Sequence, residues 1–274
     1  MIYAILNGKL IKEEEANISI MDKAYFFDFA VYSSLKVIKG KIFFPKFHID
    51  RLFESAEIIR LEHNLKKEDV LDMLNLLVEK NNLKEAFLRI VLIGDSAGGK
   101  NTKLYIFSLT GVHYYSERFY KKGIKVISYR GERRFPKSKV MDLLLNFLAL
   151  KEAENSEAIE ALLVDNDGNI REGTRSNFFA IKGDTLITPP KNKILEGITK
   201  KIILDISKGK FKIKEEDIPF SRIKDYDEFF ITSTLFNILP INQINDIKIK
   251  SNFDKTKIIQ RLFKEYCKKE VFKD

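Results

Sequence analysis

Three side chains far apart in the chain could share one chemistry: the guanidinium of Arg51 in His48-Ile49-Asp50-Arg51-Leu52, the amine of Lys139, and the carboxylate of Glu172 in Arg171-Glu172-Gly173-Thr174-Arg175-Ser176-Asn177. A cation can hold a phosphate, an amine can condense with an aldehyde, and a carboxylate can keep a ring nitrogen protonated. Those are the needs of a cofactor such as pyridoxal phosphate. Lys139 must be neutral to attack, and Arg133, Arg134 and Lys137 ahead of an apolar stretch are expected to lower its pKa. Lys137 is the competing amine, and register against Lys151-Glu152-Ala153 favours Lys139. The plain alternative is a solvated lysine at a helix start.

Further elements could complete a phosphate cup. Arg51 follows His48 on one helix face and offers a bidentate fork. Gly197-Ile198-Thr199 opens a helix, where unused N–H groups and the helix dipole favour an anion. Thr232-Ser233-Thr234 places hydroxyls at the end of the strand Glu228-Phe229-Phe230-Ile231. Gly173 lets the backbone approach the ring closely, and Asn177 can fix the following turn through side-chain hydrogen bonds.

The elements that must position these groups are legible in part. Ile2–Leu6, Asn7-Gly8 and Lys9–Ile11 read as a hairpin, as do Val31–Ile38, Lys39-Gly40-Lys41 and Ile42–Phe44. Helical spacing follows in Phe47, Leu52, Ala56, Ile59 and again in Val70, Leu74, Leu77, Val78. Strands are expected at 86–93 and 103–109, around the Gly-rich loop 94–99. A helix over 140–154, apolar on nearly every side, is expected to be buried. Strands then follow around the Asp165–Asn169 turn, and a helix runs from Gly197 through Ile206. Strands and helices in mixed order predict an α/β (α+β mixed) chain of two domains, 1–115 and 123–274, with a linker at 116–122.

With 274 residues, 45% hydrophobic and 12% aromatic, the chain can bury one large core or two ordinary ones. The +9 charge is spread over short lysine pairs and suits attraction of anionic substrates better than a nucleic-acid stripe, so no nucleic acid is expected. One cysteine and three scattered histidines predict neither disulfide nor metal. No membrane span and no leader pattern are seen, and cytoplasmic residence is the expectation.

The residues quoted resemble one family from end to end. Asn7-Gly8-Lys9, His48–Leu52 with Ser55-Ala56-Glu57, Lys139, Glu172-Gly173 with Ser176–Phe179, Leu186–Pro190 with Ile194–Thr199, and Thr232–Thr234 with Leu239–Ile241 are similar to the class IV aminotransferases, pyridoxal phosphate enzymes of fold type IV. The resemblance implies a two-domain, D-amino acid aminotransferase-like fold with the cofactor in the cleft, usually a homodimer. It implies that Lys139 is the Schiff-base lysine and proton shuttle, that Glu172 pairs with the ring nitrogen, that Arg51, Ile198, Thr199 and Thr234 hold the phosphate, and that Gly197 and Ser233 belong to the cofactor-binding set. Leu144 and Asn177 join the cofactor contacts, and an amino acid and a keto acid are the implied substrates.

Within the family, residues 81–101 resemble branched-chain aminotransferases, with Arg89 as the pocket arginine and Phe87 in place of a tyrosine. The run 48–61 and Leu144 look more like D-amino acid aminotransferases, although Ile93 stands where their carboxylate-binding arginine would. In 26–37 the family's glycine-rich turn is replaced by Phe27 and Phe29, which are expected to narrow the pocket beside Tyr32. Ser33 stands for a glutamate and resembles the aminodeoxychorismate lyases, which release pyruvate on the same scaffold. A transaminase is the leading reading, the lyase is the alternative, and a non-catalytic binder is a third.

Overall fold

The computed structural model describes residues 2–95, 101–109 and 115–272. Its contacts divide the chain into two compact units, Met1–His113 with Ser138–Asp142, and Tyr114–Lys137 with Leu143–Asp274.

The first unit contains β1 (Tyr3–Leu6), β2 (Lys9–Lys12), α1 (Lys23–Phe26), β3 (Ala30–Ile38), β4 (Lys41–Ile42), α2 (Pro45–Ile58), α3 (Lys67–Lys80), β5 (Glu85–Ile93) and β6 (Lys103–Leu109). Its sheet runs β2-β1-β6-β5-β3-β4. Both expected hairpins form, because Asn7-Gly8 and Lys39-Gly40 all take positive φ, the backbone that two-residue hairpin turns require. Alternation along the long β3 and β5 pair sorts their side chains. Val31, Leu35, Leu88 and Ile90 join Leu52, Ala56, Leu74 and Leu77 from α2 and α3 in one core. Tyr32, Phe87 and Arg89 fall on the other face.

Ser138–Asp142 is an added strip on this sheet. Val140 pairs with Val31, and the Met141 N–H donates to the Ala30 carbonyl at 3.0 Å. Lys139 therefore does not open a helix, as its sequence context suggested. The apolar residues after it first complete the strip, and the helix begins at Leu144. Of the expected Gly-rich loop, residues 96–99 lie outside the described residues.

The second unit contains α4 (Glu117–Lys122), β7 (Ile124–Arg130), α5 (Leu144–Asn155), β8 (Glu160–Val164), β9 (Asn169–Gly173), β10 (Asn177–Lys182), β11 (Thr185–Thr188), α6 (Ile198–Ile206), β12 (Lys212–Glu215), β13 (Ile218–Pro219), β14 (Glu228–Ser233), β15 (Asn237–Ile244), β16 (Ile247–Lys248) and α7 (Asp254–Val271). The segment read as a linker, 116–122, is α4, whose first turn is capped by Ser116 Oγ. The strands follow β12-β11-β10-β14-β15-β7-β8-β9-β13, and a further pairing of β9 with β10 closes β10, β14, β15, β7, β8 and β9 into a ring. Apolar residues of the ring strands, among them Val126, Leu162, Phe178, Phe229 and Leu239, form its core.

The helix expected to be buried all round is not. Ala149 and Ala153 of α5 are buried, whereas Leu144, Phe147 and Leu148 are exposed. Among the described residues no helix is long and apolar enough to cross a membrane.

Across the β10 and β14 pair, Phe179 and Phe230 stack with ring centroids 4.8 Å apart and both are fully buried. Phe230→Ala removes the ring and leaves a cavity, an expected loss of about 3–5 kcal/mol in urea unfolding. A loss below about 1 kcal/mol would show that the stack is not part of the stabilising core.

Candidate active site

Each unit presents its own set of the residues singled out in the sequence. In the first, Lys139 is fixed by its main chain. Its N–H donates to Ser55 Oγ at 3.0 Å, its carbonyl accepts from the Tyr32 N–H at 2.9 Å, and the Ser138 hydroxyl donates to the Ser55 carbonyl at 2.9 Å. The side chain then carries Nζ to 4.5 Å from the centroid of the Tyr32 ring. The Arg89 guanidinium lies 5.3 Å from the same ring, a cation–π distance. Arg89 Nε is buried and meets no hydrogen-bond partner among the described residues. Phe87, two residues earlier on β5, is buried. Lys137, the competing amine, is exposed.

On the helix side of β3 the side chains of Ser33, His48 and Arg51 meet. Ser33 is wholly buried; its Oγ lies 2.9 Å from His48 Nδ1 and accepts from Arg51 Nη2 at 3.1 Å. The hydroxyl that suggested lyase chemistry is thus engaged in orienting Arg51. Burial, reinforced by the charges of Arg51 and Lys139, holds the His48 imidazole well below its usual 6.5. The crowding expected from two phenylalanines does not occur within this unit. Phe27 is 76% exposed, and Phe29 packs on the core, its ring filling the space where Gly94 lacks a Cβ.

In the second unit, strand register gathers the remaining candidates. Leu163, Glu172, Asn177, Thr232 and Ile238 form one row across β8, β9, β10, β14 and β15. Glu172 is buried, and its Oε1 lies 3.1 Å from Arg133 Nε, close enough for an ion pair but not aligned as a hydrogen bond. The Leu195 N–H also donates to that oxygen at 3.4 Å. Asn177 Nδ2 donates to the Leu195 carbonyl at 2.7 Å.

Two glycines are explained by close approach. A Cβ on Gly173 would stand 2.1 Å from Ser176 Oγ, and one on Gly197 would stand 2.0 Å from Asn177 Oδ1. Gly173 was expected to make room for a ring; the space its missing Cβ leaves is taken by its own turn. Gly197 is the N-cap of α6, in extended backbone with no side-chain cap, so the N–H groups of Ile198 and Thr199 begin the helix in the orientation that suits an anion. Thr232 Oγ1 is buried without a partner among the described residues. Ser233 and Thr234 follow it, partly exposed. Lys200 is wholly buried, and that burial lowers its pKa against the pull of Glu215 and Glu196. Leu144, expected at the cofactor, is 66% exposed at the start of α5.

Sequence reasoning placed Arg51 and His48 on one helix face but missed that Ser33 joins them, and it missed Ser55 as the clamp on Lys139. Arg133 was read as a neighbour of Lys139; its guanidinium lies against Glu172. An arginine three residues beyond a buried histidine was the available signal for the first of these.

Because the folded state disfavours protonated His48, stability supplied by its neutral form is present above pH 6.5, its value when unfolded, and is lost as pH falls below it. His48→Gln is expected to flatten that limb. Urea unfolding of both proteins at pH 7.5 and 5.5 checks it, and an unchanged slope would contradict the buried neutral imidazole.

A sequence model of the family described as amino-transferase class IV matches residues 30–244. A putative branched-chain-amino-acid aminotransferase of Methanocaldococcus jannaschii is 30% identical, covering 98% of this chain and 94% of its own. The D-alanine aminotransferase of Listeria monocytogenes strain 10403S is 31% identical, covering 89% and 88%. In fold, the Escherichia coli branched-chain amino acid aminotransferase matches with a TM-score of 0.87 at 24% identity over 96% of this chain and 94% of its own. The matched stretch opens at the strand bearing Tyr32 and Ser33 and runs past Lys139, Glu172 and Thr234; the chain belongs to the class IV aminotransferases.

Proposed function

We propose that the chain moves an amino group from a branched-chain amino acid to a 2-keto acid with pyridoxal phosphate, Lys139 being the reactive amine. The observation that carries the reading is the main-chain clamp on Lys139, which fixes its backbone while its Nζ reaches over Tyr32 beside Arg89. The donor set suits the cofactor: one amine, one buried carboxylate, one oriented guanidinium, and a helix start followed in the chain by a hydroxyl run. When bound, pyridoxal phosphate supplies an aldehyde for amines and a ring that takes up the electron pair left by a departing Cα proton.

In this reading Lys139 Nζ would hold the cofactor's aldehyde carbon and, once free, would carry the Cα proton of the donor. Glu172 keeps a proton on the ring nitrogen. Arg51, Ile198, Thr199, Ser233 and Thr234 hold the phosphate, with Gly197 and Asn177 setting the start of α6. Arg89, whose Nε meets no hydrogen-bond partner among the described residues, receives the substrate carboxylate, and Tyr32 and Phe87 bound the side-chain pocket. D-Amino acids are the second reading, favoured by the likeness to the D-alanine aminotransferase. The lyase loses its support, because Ser33 Oγ is engaged with His48 and Arg51.

The reading includes a homodimer in the cytoplasm. Phe26, Phe27 and Met21 in the first unit, and Leu144, Phe147 and Leu148 on α5, are exposed apolar groups that a second copy would cover. Phe147→Glu is expected to shift the protein to the mass of one chain in light scattering; an unchanged dimer would remove α5 from the interface.

Mixing loaded protein with single amino acids and no keto acid tests the chemistry. L-Leucine is expected to convert the cofactor spectrum to the amine form. A response to D-alanine alone would transfer the assignment to the D-series, and silence with both would overturn transamination. Lys139→Ala is expected to lose on the order of 10³-fold or more in rate, whereas Lys137→Ala keeps it.

A further inference from the structure

Glu160 opens β8 and is wholly buried, a place where a carboxylate needs every oxygen satisfied. Its Oε1 accepts from the Ala161 N–H at 3.0 Å, from the Thr174 N–H at 3.1 Å and from the Thr174 hydroxyl at 2.5 Å. Its Oε2 accepts from the Ser176 hydroxyl at 3.0 Å, with Arg175 Nε 3.9 Å away. Apart from Ala161, all of these partners lie in the turn that joins β9 to β10.

That turn lacks the usual local solution. The Gly173 N–H donates to the Ser176 carbonyl at 2.8 Å, which leaves Thr174 and Arg175 as a two-residue loop. Such loops ordinarily need positive φ, and neither residue has it. The bend is held from outside: by the Glu160 carboxylate on both arms, by the Ala161 carbonyl, which also accepts from the Thr174 N–H at 3.1 Å, and by Asn146 Nδ2, which donates to the Thr174 carbonyl. Glu172 stands one residue before Gly173, Asn177 stands one residue after Ser176, and the two are register partners. Thr174 and Ser176 are thus joined to this pair through one intervening bond or residue at each end.

We infer that Glu160 is a positioning residue for Glu172: by gripping both arms of the 173–176 turn it sets where the Glu172 carboxylate meets the cofactor ring. The inference rests on the proposal that Glu172 faces the ring nitrogen. Glu160 itself touches no reacting atom, and its effect travels through Thr174, Ser176 and the Glu172–Asn177 pair.

The test is equilibrium dialysis of cofactor-free protein against pyridoxal phosphate and against its 1-deaza analogue, which lacks the ring nitrogen. Wild type is expected to prefer the natural cofactor on the order of tenfold, the worth of a hydrogen bond to a charged group, and Glu172→Gln to remove that preference. Glu160→Ala is expected to collapse the ratio as well, while inorganic phosphate still competes with the analogue as in wild type. Glu160→Gln keeps an acceptor for Thr174 and is expected to retain most of the preference. Should Glu160→Ala fail to fold, Ser176→Ala, which frees one arm of the turn, is expected to lower the ratio two- to threefold. If Glu172→Gln leaves the ratio unchanged, the ring-nitrogen role is wrong, and the inference falls with it. If Glu172→Gln collapses the ratio but Glu160→Ala, or Ser176→Ala in its place, does not, the turn grip is overturned and the ring-nitrogen role stands.

Discussion

The ring of strands in the second unit closes at one pair of residues, Glu172 on β9 and Asn177 on β10. Much of that unit's arrangement depends on this closure. It puts a buried carboxylate beside an amide that holds the Leu195 carbonyl, and through it the residues that start α6. It also explains why glycine stands at two positions where the backbone alone would tolerate other residues: the Cβ positions of Gly173 and Gly197 fall on Ser176 and Asn177. A packed junction fixes direction better than a flexible loop could, because no side chain in it can move without displacing a bonded neighbour.

The first unit uses strand alternation in a comparable way. Consecutive residues of β3 face opposite sides, so Tyr32 stands near the lysine and Ser33 near the helices. One strand thereby supplies a ring beside the Lys139 amine and a hydroxyl bonded to Arg51 from α2. The same geometry separates polarity: the apolar residues of the helix side surround a neutral histidine, while the arginine of β5 lies on the face that bears Lys139.

Where local chemistry decides the structure, the sequence was readable. Asn7-Gly8 and Lys39-Gly40 announce their hairpins, and the periodicity of 47–59 and 70–78 announces α2 and α3. The start of α6 at Gly197 was recognisable from its glycine and the apolar spacing that follows. Long-range pairing was not readable. Nothing near Val140 says that it will pair with Val31, so the strip 138–142 looked like the first turn of α5. The exposed face of α5 looked buried because apolar content alone cannot distinguish a core face from an exposed one. Phe27 looked like an obstruction for a related reason, since a motif position says nothing about where the side chain turns. Glu160 escaped notice because its partners lie fourteen and sixteen residues on, and it reads as the edge of an apolar strand.

The strip 138–142 has a consequence for synthesis. It occupies the edge of β3 at Ala30–Tyr32, so during translation that edge stays bare until the ribosome has released residues well past the rest of the first sheet. A bare strand edge is a template for unwanted pairing with other chains. The chain also returns to the second unit directly afterwards, so the two units cannot be exchanged as cassettes by a single crossover in the gene. Lys139 arrives within the segment that seals the sheet, which ties the placing of its amine to the completion of the first unit's fold.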